Sequence, residues 1–250
     1  MMGTEDGMAH TPFSVAICVY GKDDPANFRV AVESILCQTV QPDEIVLVVD
    51  GPVPSDLGTL ISEYESRSDF SVIYLPKNMG HGVARDTSLK RCSNDLVALM
   101  DADDISVPDR FEQQLKLFRE QPQLSVVGGN IAEFIGEKSN VIGVRRVPMA
   151  DPEIKLDMKR RCPMNQVTAM FKRRAVDSVG GYIDWYCEED YYLWLRLMLN
   201  GYSFGNVDRV LVNVRISEDM YGRRGGWKYF RSEARLQRFM LENHVIPIST

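Results

Sequence analysis

Four short apolar runs, each followed by a segment of helical character, set what this chain can fold into. They are Ser14–Tyr20 (SVAICVY), Glu44–Val49 (EIVLVV), 71–75 (SVIYL) and 96–100 (LVALM). Each has strand length, carries β-branched residues and is apolar on both faces, as strands covered on both sides are. Between the first two, Phe28, Val32 and Ile35 recur at i, i+4 and i+7 within Pro25–Gln38, behind Asp24 and Pro25 as cap and first-turn proline. Helices are also expected over Asp56–Arg67, over Gly82–Cys92 despite weak periodicity, and around Phe111, Leu115 and Phe118 behind Pro108. This β-α-β-α-β-α-β-α order implies a parallel sheet covered by helices.

The second half is less regular. Strands are expected at 124–134 (LSVVGGNIAEF), 140–146 (NVIGVRR), 166–171 (QVTAMF) and 207–215 (VDRVLVNVR). A short helix should stop at Gly180-Gly181, an apolar one should span Glu188–Asn200 before Gly201, and the last 25 residues read as a helix. No repeat, low-complexity tract or long linker interrupts the 250 residues, so the expectation is one domain over 1–250. Residues 12–105 would hold a nucleotide-type substrate, and 106–250 would handle a second one.

The net charge of −6 argues against a nucleic-acid partner. Cys18, Cys37, Cys92, Cys162 and Cys187 lack metal or disulfide-framework spacing, so buried reduced thiols are expected. The first residues, MMGTEDGMAHTPF, carry acids and no apolar h-region, and no window of ~18 apolar residues occurs. The expected location is cytoplasmic.

In open parallel sheets, ligands bind beyond the carboxyl ends of the strands. Three expected strands end there in polar groups: Tyr20-Gly21-Lys22-Asp23, Asp50-Gly51 and Asp101-Ala102-Asp103-Asp104. Like charges this close repel one another, and in a turn they can converge on a cation. Oxygen donors suit Mg2+ or Mn2+ shared with substrate phosphates. A Rossmann dinucleotide site is disfavoured, because GKDDPANF replaces the glycine-rich turn, and no Walker A sequence occurs.

The stretches FSVAICVYGKDDPANFRVAVESILCQTVQPDEIVLVVDGP, KNMGHGVARDTSL, MDADD and GGYIDWYCEEDYYLWLRLMLNGY, in this order, resemble family 2 glycosyltransferases of the GT-A fold. The nearest likeness is to bacterial enzymes of capsule, exopolysaccharide or O-antigen synthesis, over roughly residues 12–215. The resemblance implies an α/β fold, Rossmann-like, with a mostly parallel sheet and a smaller mixed acceptor-side region. It implies an inverting, metal-dependent transfer from a nucleotide diphosphate sugar to a saccharide or lipid-linked saccharide, with uracil the expected base.

By the same resemblance, Asp101-Ala102-Asp103 is the D-x-D motif, with Asp101 near the ribose and both Asp101 and Asp103 as metal ligands. Asp50 matches the base-binding acid, and Tyr20 and Gly21 the nucleotide-contacting strand end. Asn78, Gly80 and Arg85 match the nucleotide loop, and Glu189-Asp190 the catalytic pair, with Asp190 as general base. The family often has Asn after that Arg, where this chain has Asp86.

Other readings stand beside these. The acids of CEED, Glu188 to Asp190, could simply cap a helix. Trp185 and Tyr186 could stack on a sugar or pack in the core. His81 reads as a solvated loop residue. Arg223, Arg224, Lys228 and Arg231 in YGRRGGWKYFR could form a basic helix face, or could meet donor phosphates or a lipid diphosphate at an anionic membrane surface. A sugar-phosphate nucleotidyltransferase and a non-catalytic nucleotide-sugar binder are the rival functions.

Overall fold

The computed structural model describes residues 11–216 and 226–247. The first half follows the expected alternation: β1 (Phe13–Tyr20), α1 (Pro25–Leu36), β2 (Glu44–Asp50), α2 (Ser55–Glu65), β3 (Phe70–Tyr74), α3 (His81–Arg91) and β4 (Leu96–Asp101). A two-residue strand β5 (Ile105–Ser106), α4 (Arg110–Glu120), β6 (Leu124–Phe134) and β7 (Val141–Arg145) come next. Then come α5 (Asp151–Asp157), β8 (Met170–Lys172), α6 (Arg173–Ser178), α7 (Glu189–Leu199), β9 (Ser203–Arg215) and α8 (Gly226–Glu242).

The strands join in one sheet in the order β3-β2-β1-β4-β8-β6-β9-β5, with β7 on β6. The first four run parallel, and so do β6 and β9, while β8 is antiparallel to both β4 and β6. Alternation along each strand feeds two cores. Phe13, Val15 and Ile17 of β1 pack with α1, α2 and α4 through Phe28, Ile61 and Phe111. Ala16 turns to the other face, where Leu89 of α3, Trp194 of α7 and Leu236 of α8 gather. Fully burying a side chain such as Phe28 or Phe111 contributes about 1.5–3 kcal/mol.

Local signals explain the ends of α1. The Asp24 carboxylate accepts the N–H groups of Ala26 (2.9 Å) and Asn27 (3.0 Å), and Pro25 follows. Two expectations need correction. Residues 166–171 are not one strand: Gln166–Thr168 forms a 3-10 turn, and only Met170–Lys172 pairs. Side chains supplant the ladder there. Thr168 Oγ1 donates to Asn165 O (2.7 Å) and accepts from Gly129 N–H (3.0 Å), while Asn165 Nδ2 donates to Gly129 O (2.8 Å). Nor are all the thiols buried: Cys37 caps α1 facing solvent, and Cys187 is exposed in a loop at φ 59°. All five are free. Helix α5, which opens with Asp151-Pro152, was not expected from the sequence pattern.

Candidate active site

Strand register brings the polar ends together. Tyr20 pairs with Asp50 across β1 and β2, and Cys18 pairs with Asp101 across β1 and β4. The carboxyl edge of the sheet therefore presents Tyr20, Asp50 and Asp101 side by side. Two glycines let the loops beyond it close up. A Cβ on Gly21 would lie 2.7 Å from Pro52 O, and one on Gly51 (φ +88°) would lie 2.4 Å from Asn78 N. Asp50 is buried and anchors the third loop: Met79 N–H donates to Oδ1 (2.6 Å) and Gly80 N–H to Oδ2 (3.1 Å), while Asn78 Nδ2 reaches Asp50 O at 3.5 Å.

That loop starts α3, whose weak periodicity has a cause: its inward face carries Arg85, only 6% exposed, among Ala84, Ser88 and Leu89. Arg85 Nη2 donates to Asp101 Oδ1 (2.7 Å), and Nη1 lies 3.5 Å from Glu189 Oε1. Burial works against the Arg85 charge, but Asp101, Tyr182 and Glu189 outweigh it and raise its pKa. Burial would raise the Asp101 carboxyl, yet Arg85 and His81 hold it below the ordinary aspartate value. Asp86, the departure from A-R-N, turns away to Lys90 (2.6 Å).

The three aspartates at the end of β4 and just beyond it divide. Asp104 is buried, and its Oδ1 accepts the Arg215 N–H of β9 at 2.8 Å. Burial, then Asp101 and Asp103, push its pKa well above the ordinary value. Asp103 is exposed, and its carbonyl accepts from Arg215 Nε (3.2 Å); Ala102 is buried. Beneath them lies Arg110, fully buried, donating to Leu99 O (2.7 Å) and Ser106 Oγ (3.0 Å).

Opposite this edge stands the start of α7. Glu188 is its N-cap residue but makes no side-chain cap hydrogen bond. Asp190 Oδ1 accepts Tyr191 N–H at 2.7 Å. Glu188 and Asp190 line a cavity of about 500 Å³ together with Asp101, Asp104, Gln166 and Arg145. Glu189 points elsewhere, towards Arg85 and towards His81 Nδ1 at 3.8 Å, and lines a neighbouring cleft. Burial, reinforced by Asp190, Glu233 and Glu189, raises Glu188 to about 7. Burial also raises Asp190, against the pull of the Tyr191 N–H and Arg85.

Gln166 joins the two sides, and nothing in the sequence singled it out. Its amide is assigned the orientation that satisfies its neighbours. The oxygen accepts from Arg85 Nη1 (2.6 Å) and Tyr182 Oη (3.3 Å), and the nitrogen donates to Asp190 Oδ2 (3.1 Å). A continuous chain thus runs Asp101–Arg85–Gln166–Asp190, from the strand edge to the base candidate.

The family model for glycosyl transferase family 2 matches residues 14–180, which include this strand edge, the Arg85 loop and Gln166. The chain belongs to glycosyl transferase family 2. The family 2 enzyme is 40% identical over 224 residues to an uncharacterized glycosyltransferase of Haemophilus influenzae, across 90% of this chain and 83% of that one. It is 36% identical to the amylovoran biosynthesis glycosyltransferase AmsE of Erwinia amylovora, across 92% and 85%. It is 35% identical to an Escherichia coli UDP-Gal:alpha-D-GlcNAc-diphosphoundecaprenol beta-1,3-galactosyltransferase, across 93% and 85%. Its fold resembles the crystal structure of S. aureus TarS with a TM-score of 0.62 at 17% identity, over 92% of this chain and 43% of that one. It is a glycosyltransferase with a GT-A fold.

Carboxylate oxygens are the donor type that a hard divalent ion takes. Asp101 and Asp103 supply oxygens only, and their charge adds to burial in raising Asp104. Among the described residues no group of three acidic, histidine or cysteine side chains could hold an ion alone. Further ligands would have to be phosphate oxygens or water.

Trp185 and Tyr186 take separate places. Trp185 is buried against Tyr192 (centroids 4.2 Å apart), whereas Tyr186 is exposed beneath Lys228. Arg223 and Arg224 lie outside the described residues.

Proposed function

We propose that this glycosyltransferase moves one sugar from a UDP-sugar to a hydroxyl of a lipid-linked saccharide in surface polysaccharide synthesis, with inversion at the anomeric carbon. One observation carries this reading: Glu188 and Asp190, at the start of α7, share one cavity with Asp101 of the D-x-D motif, and Arg85 and Gln166 link the two sides. The amylovoran relative supports a role in polysaccharide synthesis, and the diphosphoundecaprenol relative supports a lipid-linked acceptor and a uridine donor.

The roles follow from chemistry. Tyr20, Gly21, Asn78 and Gly80 would border the nucleotide, and Asp50 would hold the loop against the base. Asp101 and Asp103 would hold Mg2+ or Mn2+, which as a Lewis acid stabilises charge on a departing diphosphate. Asp190 accepts the proton of the attacking hydroxyl. The new C–O bond forms on the face opposite the leaving diphosphate. Only this carboxylate must act as a base, whereas a retaining hydrolase needs a second one as nucleophile. Burial raises Asp190 towards the working pH, where a general base is most effective. Glu188, beside it, is the residue to compare. Glu189 would act through Arg85.

A thermal-shift panel of UDP-, dTDP- and GDP-sugars with and without Mn2+ tests the donor. A ligand at ~100 times its Kd stabilises by about 2.7 kcal/mol. Absence of any metal-dependent shift sinks the donor assignment. Asp190→Asn should lower kcat by ~100- to 10,000-fold and leave nucleotide affinity intact. Full turnover in that variant removes Asp190 as the base.

A further inference from the structure

Helix α8 packs inward through Ser232, Leu236 and Met240. Ser232 fixes it to the α7 approach, its Oγ donating to Tyr186 O (2.6 Å) and its carbonyl accepting from Trp185 Nε1 (3.3 Å). The opposite face is of another kind. Trp227 is 71% exposed and Phe230 58%, and their rings stack with centroids 5.3 Å apart. Trp227, Arg231 and Arg238, at i, i+4 and i+11, follow one line along the helix. Lys228 and Arg235 flank it, each lying over an aromatic ring of the 185–186 segment, at 3.9 Å from Tyr186 and 3.8 Å from Trp185.

The helix carries four cations against two acids, and one of those acids lies on this face. Glu233 lines the active-site cavity, and Glu242 pairs with Arg238 at 2.7 Å. This is a local excess on a chain of net charge −6. A solvated basic face explains the arginines but not two large exposed aromatics stacked at its end. Aromatic rings beside long cationic side chains suit the headgroup layer of an anionic bilayer, where rings sit at the boundary and charges meet phosphates. Among the described residues no helix is long and apolar enough to cross a membrane. The cleft beside α8, about 1050 Å³, runs from Arg235 and Arg238 to Asn78 and Gly80, so this face adjoins the nucleotide loop.

We propose that the outward face of α8 lies on an anionic phospholipid surface, with Trp227 and Phe230 at headgroup depth and the cations over lipid phosphates. The proposal draws on the lipid-linked acceptor reading for its purpose, not for its geometry. Flotation of the full chain with phosphatidylcholine vesicles, with and without phosphatidylglycerol, tests it in the absence of donor and acceptor. Binding should require phosphatidylglycerol and weaken with salt. R231Q should lower partitioning roughly fivefold, the effect of one cation at such a surface. Trp227→Ser should lower it as well, with Tm and UDP-sugar affinity unchanged, since Trp227 lies outside the cleft that holds Asn78 and Gly80. Equal binding to neutral vesicles, or variants that float like the wild type, would overturn the proposal; so would an intact protein that stays in solution at low salt. Vesicle binding without any nucleotide-dependent thermal shift would keep this inference and remove the donor assignment instead.

Discussion

Replacing Gln166 with Leu would cut the chain from Arg85 to Asp190 while leaving both charges in place. The amide nitrogen donates to Asp190 Oδ2 at 3.1 Å, and the amide oxygen accepts from Arg85 Nη1 at 2.6 Å. A hydrogen bond to a charged group contributes about 1.5–3 kcal/mol. The donated N–H favours the ionised carboxylate, so its loss raises the pH at which Asp190 gives up its proton. The acid limb of the kcat profile should therefore move to higher pH, by about one pH unit for each 1.4 kcal/mol lost. At neutral pH, misplacement of the base adds a fall in kcat of up to about 100-fold. Arg85 Nη1 also loses its nearest acceptor, a cost of about 1–3 kcal/mol, or roughly 2–4 °C in Tm for each kcal/mol. The assay is sugar transfer at saturating substrates across pH, with donor affinity by calorimetry and Tm alongside. A positioning role predicts a displaced pH limb with donor affinity kept. A profile that overlays the wild type, or a loss residing wholly in donor binding, refutes the reasoning.

Arg85→Met should destabilise the fold by about 3–5 kcal/mol in urea titrations, because Asp101 and Glu189 lose the buried cation between them; a loss below about 1 kcal/mol would show that water replaces it. The Glu188 carboxyl, raised by burial and by its acidic neighbours to about 7 from an ordinary value of 4.5, makes the protein less stable as pH rises through that window, since the folded state holds the proton longer. Glu188→Gln should flatten this decline in Tm between pH 4.5 and 7, a gain of at most about 3 kcal/mol at the upper end; a parallel pair of curves would place the titration elsewhere.

Much of the fold was legible along the chain because its signals are local. Apolar runs of strand length, a 3.6-residue period at Phe28, Val32 and Ile35, and the Asp24-Pro25 start each act within a few residues. The run 166–171 misled because Thr168, and Asn165 just before it, bond across to Gly129, contacts 39 and 36 residues away that no local pattern carries. The strand-end acids were legible too, and so was their clustering. Gln166 was invisible, since a lone amide in an apolar run has no signature until Arg85 and Asp190 are seen on either side of it.

By itself the sequence determined the alternation of strands and helices, the concentration of oxygen donors after β4, and the likeness to a family. Only the tertiary structure decided what each acid does. Asp103 stays exposed while Asp104 is buried against β9, and Glu188 and Asp190 line one cavity while Glu189 turns to Arg85. Adjacent residues on a helix or in a turn point in different directions, and the charge state of each depends on what the rest of the fold places opposite it.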